Sequence, residues 1–254
     1  MLLIDKLSYR SKLRYVNASE KLMYAVLTLI LCILSHSVRV AALVFVINGI
    51  LTVGKGGIPL SRYIRLLMIP TAFLIAGTAA IVINISKVPM DAFALELGEW
   101  YITGSMAGIY RALELCATAL SAVTCLYFLS LNTVMTDILD ALRKLHFPSL
   151  LIELMLLIYR FIFVLFQTAS AITVAQQARL GNRDFKTRIR SFGAMGSELF
   201  ILALKRSNVL YDAMESRCYD GNIRVLTRMQ PPRAGEIAAI AAIELILVLV
   251  WICG

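Results

Sequence analysis

The stretch LLIELMLLIYRFIFVLFQTASAITVA, residues 150–175, decides the fold, because it is apolar enough to cross a membrane yet precedes a strongly basic segment. Residues 179–233 carry eleven Lys and Arg against five Asp and Glu. A single crossing would place this basic segment outside the cell, whereas basic loops remain on the cytoplasmic side. We therefore predict that residues 150–175 do not cross the membrane once.

Two interpretations of this stretch remain. It forms a re-entrant hairpin, or it lies at the membrane surface and presents an apolar face to a partner. Glu153 and Arg160 lie within it, and a charge at the bilayer centre costs about 2.5–3.5 kcal/mol. These two charges favour the surface position.

The composition of the whole chain indicates a membrane protein. Of its 254 residues, 59% are hydrophobic and 16% are charged, whereas soluble domains are about 45–50% apolar and about 25% charged. The net charge of +9 is explained by basic residues that flank apolar spans and fix their orientation. This composition favours a membrane protein over a nucleic-acid-binding protein.

Five other apolar runs are long enough, with their flanking residues, to cross about 30 Å of hydrocarbon: residues 22–35, 40–53, 66–85, 107–131 and 237–253. Bases cluster before the first run and after the second, while residues 86–104 carry three acids against Lys87. This asymmetry predicts a cytoplasmic N-terminus and an external acidic loop. The predicted fold is therefore all-α: a polytopic membrane protein with about five transmembrane helices and a cytoplasmic helical domain, divided into residues 1–133, 134–233 and 234–254.

The candidate catalytic groups have simpler structural explanations. Asp137 and Asp140 share one helix face, but Thr136 is a predicted N-cap, and the acids precede Arg143 and Lys144 in agreement with the helix dipole. Asp212 and Glu215 lie near a helix end that does not favour acids, so we expect a partner or a nearby base, such as Lys205 or Arg206, to offset them. Arg111 and Glu114 are predicted to pair near the external end of the fourth span.

The sequence predicts neither a metal site nor a cofactor. The five cysteines are scattered without a C-x-x-C pair, and the two histidines, His36 and His146, are distant in sequence. No phosphate-binding loop of the type G-x-x-x-x-G-K-[ST] occurs, so ATP is not bound through such a loop.

Two short polar stretches in the basic segment have the same organisation. QQARLGN (residues 176–182) and MESRCYDGN (residues 214–222) each present one arginine among small or apolar neighbours, followed by Gly181 or Gly221 as a helix stop signal. The planar five-donor guanidinium of arginine suits a carboxylate-lined groove on another protein. Each stretch is therefore a candidate docking end.

These features resemble the transmembrane components of energy-coupling factor transporters, and within them the cobalt-type CbiQ proteins. The opening IDKLSYRSKLRYVNASEKL (residues 4–22) is similar to the family's N-terminal stretch. QARLGN and AMESRCYDGN lie where the family's two Ala-Arg-Gly-type motifs are expected. Leu180 and Cys218 depart from the glycine or serine that is more usual at the third motif position.

The resemblance implies a scaffold in the cytoplasmic membrane of a bacterium or archaeon, with a cytoplasmic coupling domain and no catalytic activity of its own. Its expected partners are two cytoplasmic ATPase subunits and a cobalt-type (or nickel-type) substrate-binding membrane subunit, with a small accessory membrane subunit. The resemblance assigns ATPase docking to Ala178, Arg179, Leu180, Ser216, Arg217 and Cys218. The metal site would lie on the substrate-binding partner.

Two other functional classes remain as alternatives. A membrane-embedded lipid-modifying enzyme would need clustered acids or histidines near the membrane surface, where the chain offers only the helical acid pairs. A stand-alone secondary transporter normally has inverted repeats and polar residues at mid-membrane depth, and neither is evident in the sequence.

Overall fold

The computed structural model describes residues 3–82, 84–86, 93–97, 100–221, 223 and 231–253. Their α-helices are α1 (Leu3–Arg10), α2 (Ala18–Ser35), α3 (Val38–Gly49), α4 (Leu60–Val82), α5 (Met106–Asn132), α6 (Met135–Lys144), α7 (Ser149–Ala178), α8 (Phe185–Glu215) and α9 (Ala234–Ile252). A 3₁₀ turn, Lys12–Tyr15, follows α1, and a π-helical segment, Ile50–Lys55, continues α3.

The predicted all-α polytopic membrane fold is confirmed. The five predicted spans correspond to α2, to α3 with its π-helical continuation, and to α4, α5 and α9, each long and apolar enough to cross a membrane. The first two reach 18 residues because they include flanking residues. Helix α7 is a sixth helix of sufficient length and apolar composition.

Helix α5 is the centre of the membrane bundle and packs against α1, α2, α3 and α4. Its buried residues Cys125, Phe128 and Leu131 each belong to a different apolar cluster. The cluster around Cys125 includes Leu247 of α9. One long helix thus organises the core, and the neighbouring helices cover its different faces.

Buried polar side chains also join the helices of the bundle. The Tyr24 hydroxyl donates to Asn48 Oδ1 at 2.9 Å, and Asn48 Nδ2 donates to Thr124 Oγ1 at 3.3 Å, which links α2, α3 and α5. In a membrane such bonds hold helices together at about 0.6 kcal/mol each. These side chains therefore connect the three helices through polar contacts inside the bundle.

The N-terminal stretch is fastened to the end of α5. The Lys21 amine, only 3% exposed, donates to the carbonyls of Leu13 (3.0 Å) and Asn132 (2.9 Å), and the Ser11 hydroxyl donates to Asn132 Oδ1 at 2.7 Å. Gly56 lies against the same asparagine, because a Cβ there would be 2.5 Å from Asn132 Oδ1. The lysine therefore satisfies the last carbonyl of α5, one of the groups that a helix end leaves unpaired.

The predicted external loop contains a small sheet that the sequence analysis did not anticipate. Three antiparallel strands, β1 (Asn84–Ser86), β2 (Phe93–Leu97) and β3 (Trp100–Gly104), pair in the order β1-β3-β2. Lys87, Asp91 and Glu99, on which the prediction of an acidic external loop partly depended, lie outside the described residues.

The chain divides into two compact units, one of residues Leu2–Ile138 and Arg228–Gly254, and one that includes Leu139–Thr227. The second unit contains α7, which runs without interruption from Ser149 to Ala178. A re-entrant hairpin needs a chain reversal within residues 150–175, so that interpretation was wrong. The N-cap assignment of Thr136 was also wrong, because α6 begins one residue earlier, at Met135.

Candidate partner-docking ends

The first candidate docking end follows directly on α7. Ala178 is the last residue of the helix, and Arg179 follows it. The Leu180 N–H donates to the carbonyl of Gln177 at 3.1 Å, and the Gly181 N–H donates to the carbonyl of Gln176 at 2.8 Å. Leu180 has a φ of +57°. These two bonds and the left-handed residue form a Schellman motif.

The second candidate docking end repeats this geometry after α8. The Cys218 N–H donates to the carbonyl of Glu215 at 2.9 Å, and the Tyr219 N–H donates to the carbonyl of Met214 at 3.1 Å. Cys218 has the same φ of +57°. Ser216 lies just before the arginine, and its hydroxyl donates to the carbonyl of Ala213 at 3.0 Å.

The same left-handed backbone conformation at Leu180 and Cys218 gives a physical reason why glycine suits the third motif position. A left-handed conformation favours glycine, because a Cβ there costs about 1–2 kcal/mol. Leu180 and Cys218 both accept this strain. The predicted stop residues Gly181 and Gly221 are therefore not the residues that end the helices; the left-handed residue directly after each arginine ends them.

Gly181 has a different role, which is close packing. A Cβ at this position would lie 2.8 Å from the Gln176 carbonyl oxygen and 2.9 Å from Ser191 Oγ. Gly221 has a φ of +83° and open space around it, so it supplies backbone freedom without packing.

Both arginines project from the ends of the helices into open space. Arg179 and Arg217 are exposed. Across the part of the chain that the structure describes, neither guanidinium has an ion-pair partner or a hydrogen-bond acceptor. Their positive charges lie at helix C-termini, where the helix dipole favours cations, and all five N–H donors of each remain available for a partner.

Helices α7 and α8 form an antiparallel pair that separates the two arginines. At one end, the Gln176 amide donates to the Ser191 carbonyl at 2.8 Å, and Ser191 Oγ donates to the Gly181 carbonyl at 2.9 Å. At the other end, the Tyr219 hydroxyl donates to Glu153 Oε2 at 2.5 Å. The 30 residues of α7 span about 45 Å, so the two docking ends lie at opposite ends of a long hairpin.

The hairpin leaves an unusual amount of apolar surface uncovered. No residue of α8 is buried, and the structure describes that helix completely. An open groove of about 770 Å³ between α7 and α8 is lined by apolar residues such as Leu156, Leu210 and Met214, and also by Arg160 and Arg217. Exposed apolar patches of this kind mark surfaces for proteins or membranes.

The acid pair near the end of α8, Asp212 and Glu215, was expected to be offset by a nearby base or by a partner. Asp212 and Glu215 are exposed, and within the described ranges they form no ion pair with Lys205 or Arg206. The expected offset by a nearby base is therefore not observed.

The predicted charge arrangement of α6 and the predicted pairing of Arg111 with Glu114 are both observed. Asp137 lies in the first turn of α6, with Arg143 and Lys144 in the last, as predicted. Arg111 pairs with Glu114 at 3.2 Å, also as predicted, and His36 Nδ1 lies 3.6 Å from the same carboxylate as an additional neighbour.

Sequence reasoning missed one carboxylate, Glu153. It was interpreted only as a charge that the membrane surface tolerates, whereas it is buried and accepts bonds from the segment after Arg217. The only signal in the sequence is a lone acid in an apolar run. No group of three potential metal ligands was found among the residues whose placement the structure describes.

Comparisons with known proteins agree with this architecture. Residues 10–229, which include both candidate docking ends, match the family described as CbiQ, cobalt transport protein. The chain is 29% identical to the cobalt transport protein CbiQ of Salmonella typhimurium, over 87% of this chain and 99% of that protein. It is 29% identical to the energy-coupling factor transporter transmembrane protein EcfT of Staphylococcus aureus, over 86% of this chain and 83% of that protein.

A third relative is a putative fused cobalt transport protein, CbiMQ, of Methanocorpusculum labreanum, which is 31% identical to this chain. The match covers 99% of this chain but 41% of the fused protein. This chain is therefore similar to one part of a longer protein in that organism.

Proposed function

Because the chain belongs to the CbiQ family of cobalt transport proteins, and is a multi-pass membrane component of a transporter, we propose that it is the coupling scaffold of an ATP-driven importer of the energy-coupling factor type. Its proposed partners are two cytoplasmic ATPase subunits and a membrane subunit that binds cobalt or nickel. We propose that residues 134–233 form the cytoplasmic coupling domain.

One observation carries this proposal: two arginines without an ion-pair or hydrogen-bond partner among the described residues occupy equivalent positions at opposite ends of one helical hairpin. A catalytic site would bring its polar groups together, whereas this arrangement holds them about one helix length apart. Two separated cations with free donor forks suit two separate acidic grooves. The duplicated geometry therefore supports docking of two partner subunits.

The charges of α8 support a position of the hairpin at the membrane surface. Because α8 runs antiparallel to α7, a crossing by α7 would carry Glu198, Lys205 and Arg206 from the middle of α8 into the bilayer. Each such charge costs about 2.5–3.5 kcal/mol at the bilayer centre. The same reasoning supports a cytoplasmic N-terminus. An even number of crossings before α6 places the N-terminus and the basic hairpin on the same side of the membrane, and basic segments remain on the cytoplasmic side.

The names of two relatives support the proposed identity of the partner subunits. One relative is called an energy-coupling factor transporter transmembrane protein, and another joins a CbiQ part to a CbiM part in one chain. A fused chain brings its two parts into permanent proximity. We therefore propose a CbiM-like membrane subunit, with a small accessory subunit, as the partner that selects the metal.

The proposed mechanism is rigid-body coupling. ATP binding draws the two ATPases together, and the docked ends at Arg179 and Arg217 move with them. Hydrogen bonds hold α7 and α8 together at both ends of the hairpin, so the two helices move as one rigid body when the docked ends move. Its apolar surface transmits the motion to the substrate-binding subunit, which reorients in the membrane.

The test replaces both arginines in the complete transporter. Arg179→Ala with Arg217→Ala should abolish co-purification of the ATPases and metal uptake, because each substitution removes a desolvated charge pair worth about 2 kcal/mol or more. Arg190→Ala is the matched control, since Arg190 is an exposed base within α8. The docking assignment is wrong if the double variant retains both ATPases and normal uptake.

A further inference from the structure

Glu153 is a buried carboxylate in the apolar helix α7, and the mechanism above gives it no role. The residue is only 3% exposed. It has no ion-pair partner in the described portion of the chain. An unpaired carboxylate is costly to bury unless hydrogen bonds satisfy it. The two groups that donate to Glu153 therefore indicate its role.

Both bonds come from the few residues that follow Arg217. Glu153 Oε2 accepts from the Tyr219 hydroxyl at 2.5 Å, and Glu153 Oε1 accepts from the Ile223 backbone N–H at 3.1 Å. The carboxylate therefore holds a side chain two positions after Arg217 and a backbone group six positions after it. Together they fix the direction in which the chain leaves α8.

Tyr219 is also part of the turn that carries the arginine. Its backbone N–H closes the Schellman motif on Met214, while its hydroxyl reaches Glu153. The hydrogen bond to Glu153, desolvation and the charge of that carboxylate raise the pKa of Tyr219 above its ordinary value, so the hydroxyl remains a donor at neutral pH and above. One residue thus connects the docking turn to the neighbouring helix.

We propose that Glu153 is a positioning residue that orients Arg217 for docking by anchoring the segment after it to α7. This role rests on the proposed function, because it concerns the second of the two docking ends. The first end is fastened differently, by the uncharged groups of Gln176 and Ser191. Loss of Glu153 should therefore disable one docking end and leave the other intact.

Cysteine alkylation of the assembled transporter distinguishes the two ends. Cys218 is exposed beside Arg217, and Leu180 occupies the equivalent place beside Arg179. One background keeps Cys218 and replaces the exposed Cys253 by serine. The other adds Cys218→Ser and Leu180→Cys. Maleimide labelling is compared for the chain expressed alone and for the chain expressed with its ATPases and membrane partners.

When Glu153 is unchanged, the ATPases should protect the single docking-end thiol of each background, at position 218 in one and at position 180 in the other. Glu153→Ala should accelerate labelling of Cys218 in the complex by about tenfold or more, because hydrogen bonds to a charged group are lost, while the thiol at position 180 stays protected. Tyr219→Phe should give a smaller acceleration at Cys218 alone. Glu153→Gln keeps an acceptor for Ile223 and should restore most of the protection. Glu198→Ala, at an exposed acid of α8, is the control and should change neither site.

Three outcomes would overturn the assignment. Continued protection of Cys218 in Glu153→Ala would show that Glu153 does not orient the docking end. Loss of protection at both positions in that variant would mean that Glu153 merely stabilises the hairpin. Absence of protection in both cysteine backgrounds when Glu153 is unchanged would instead refute ATPase docking itself, and with it this role of Glu153.

Discussion

Replacing Leu180 with glycine should stabilise the turn between α7 and α8, although it removes a large apolar side chain. Leu180 is 68% exposed and has a φ of +57°, so the side chain contributes little burial and imposes left-handed strain. Relief of that strain is worth about 1–2 kcal/mol. The greater freedom of glycine in the unfolded chain takes back about 0.5–1 kcal/mol. The expected net gain is therefore about 0.5–1 kcal/mol.

Amide hydrogen exchange measures this gain locally. The N–H groups of Leu180 and Gly181 close the Schellman motif, and a gain of this size should slow their exchange by about two- to fivefold if they exchange through local opening. Leu180→Ala keeps a Cβ in the same conformation and should give little of the effect. Equal or faster exchange in Leu180→Gly than in Leu180→Ala would refute the strain argument.

The neighbouring glycine provides a control of opposite sign. Gly181→Ala would bring a Cβ within 2.8 Å of the Gln176 carbonyl oxygen and 2.9 Å of Ser191 Oγ. The same amides should therefore exchange faster in that variant, since the closing bonds of the turn must lengthen. Opposite effects at two adjacent positions follow only if the geometry of the turn is as described.

Two further predictions concern the membrane bundle. Lys21→Met should lower its stability by about 2 kcal/mol, because one buried and one partly buried carbonyl lose a charged donor. Thermal unfolding of the detergent-solubilised chain should show a Tm several degrees lower, while Lys6→Met, at an exposed position, should leave the Tm unchanged. Glu114→Gln should change stability by less than about 1 kcal/mol, because Arg111 is largely exposed and exposed ion pairs contribute little; a larger loss in the same assay would show that the carboxylate is a structural anchor.

The membrane spans could be predicted from the sequence because the physics of a bilayer is visible residue by residue. A run of apolar residues and the charges at its ends determine whether a segment crosses and in which direction. The same signals predict that residues 150–175 differ from the five spans, although α7 is also long and apolar enough to cross a membrane. They did not distinguish a hairpin from one helix, because hydropathy carries no information about chain reversal, and the continuous helix α7 settled that question.

The sequence placed Arg179 and Arg217, the two proposed docking arginines, near helix ends, where the structure also has them, but it did not predict the geometry of those ends. Helix stop signals suggested Gly181 and Gly221, whereas the left-handed residues are Leu180 and Cys218. Neither leucine nor cysteine is a residue type that indicates positive φ. The conformation is imposed by the hydrogen bonds that end each helix, so it becomes visible only in the structure.

The partner of Glu153 was hidden for a different reason. Glu153 and Tyr219 are 66 positions apart, and nothing in either local sequence refers to the other. The bond follows from the antiparallel packing of α7 and α8, which in turn depends on the length of both helices. Long-range contacts between single polar residues therefore remain beyond reasoning from one sequence, even where both residues belong to segments already singled out.

Site-specific photo-cross-linking tests the central claim most directly. A photoreactive amino acid is placed at position 180 or at position 218, beside Arg179 and Arg217, in the transporter assembled in its own membrane. Both positions are exposed at the helix ends. Adducts with an ATPase subunit at each position are the predicted result. Adducts only with lipid or with the substrate-binding subunit, at either position, would contradict a scaffold that docks one ATPase at each end of the hairpin.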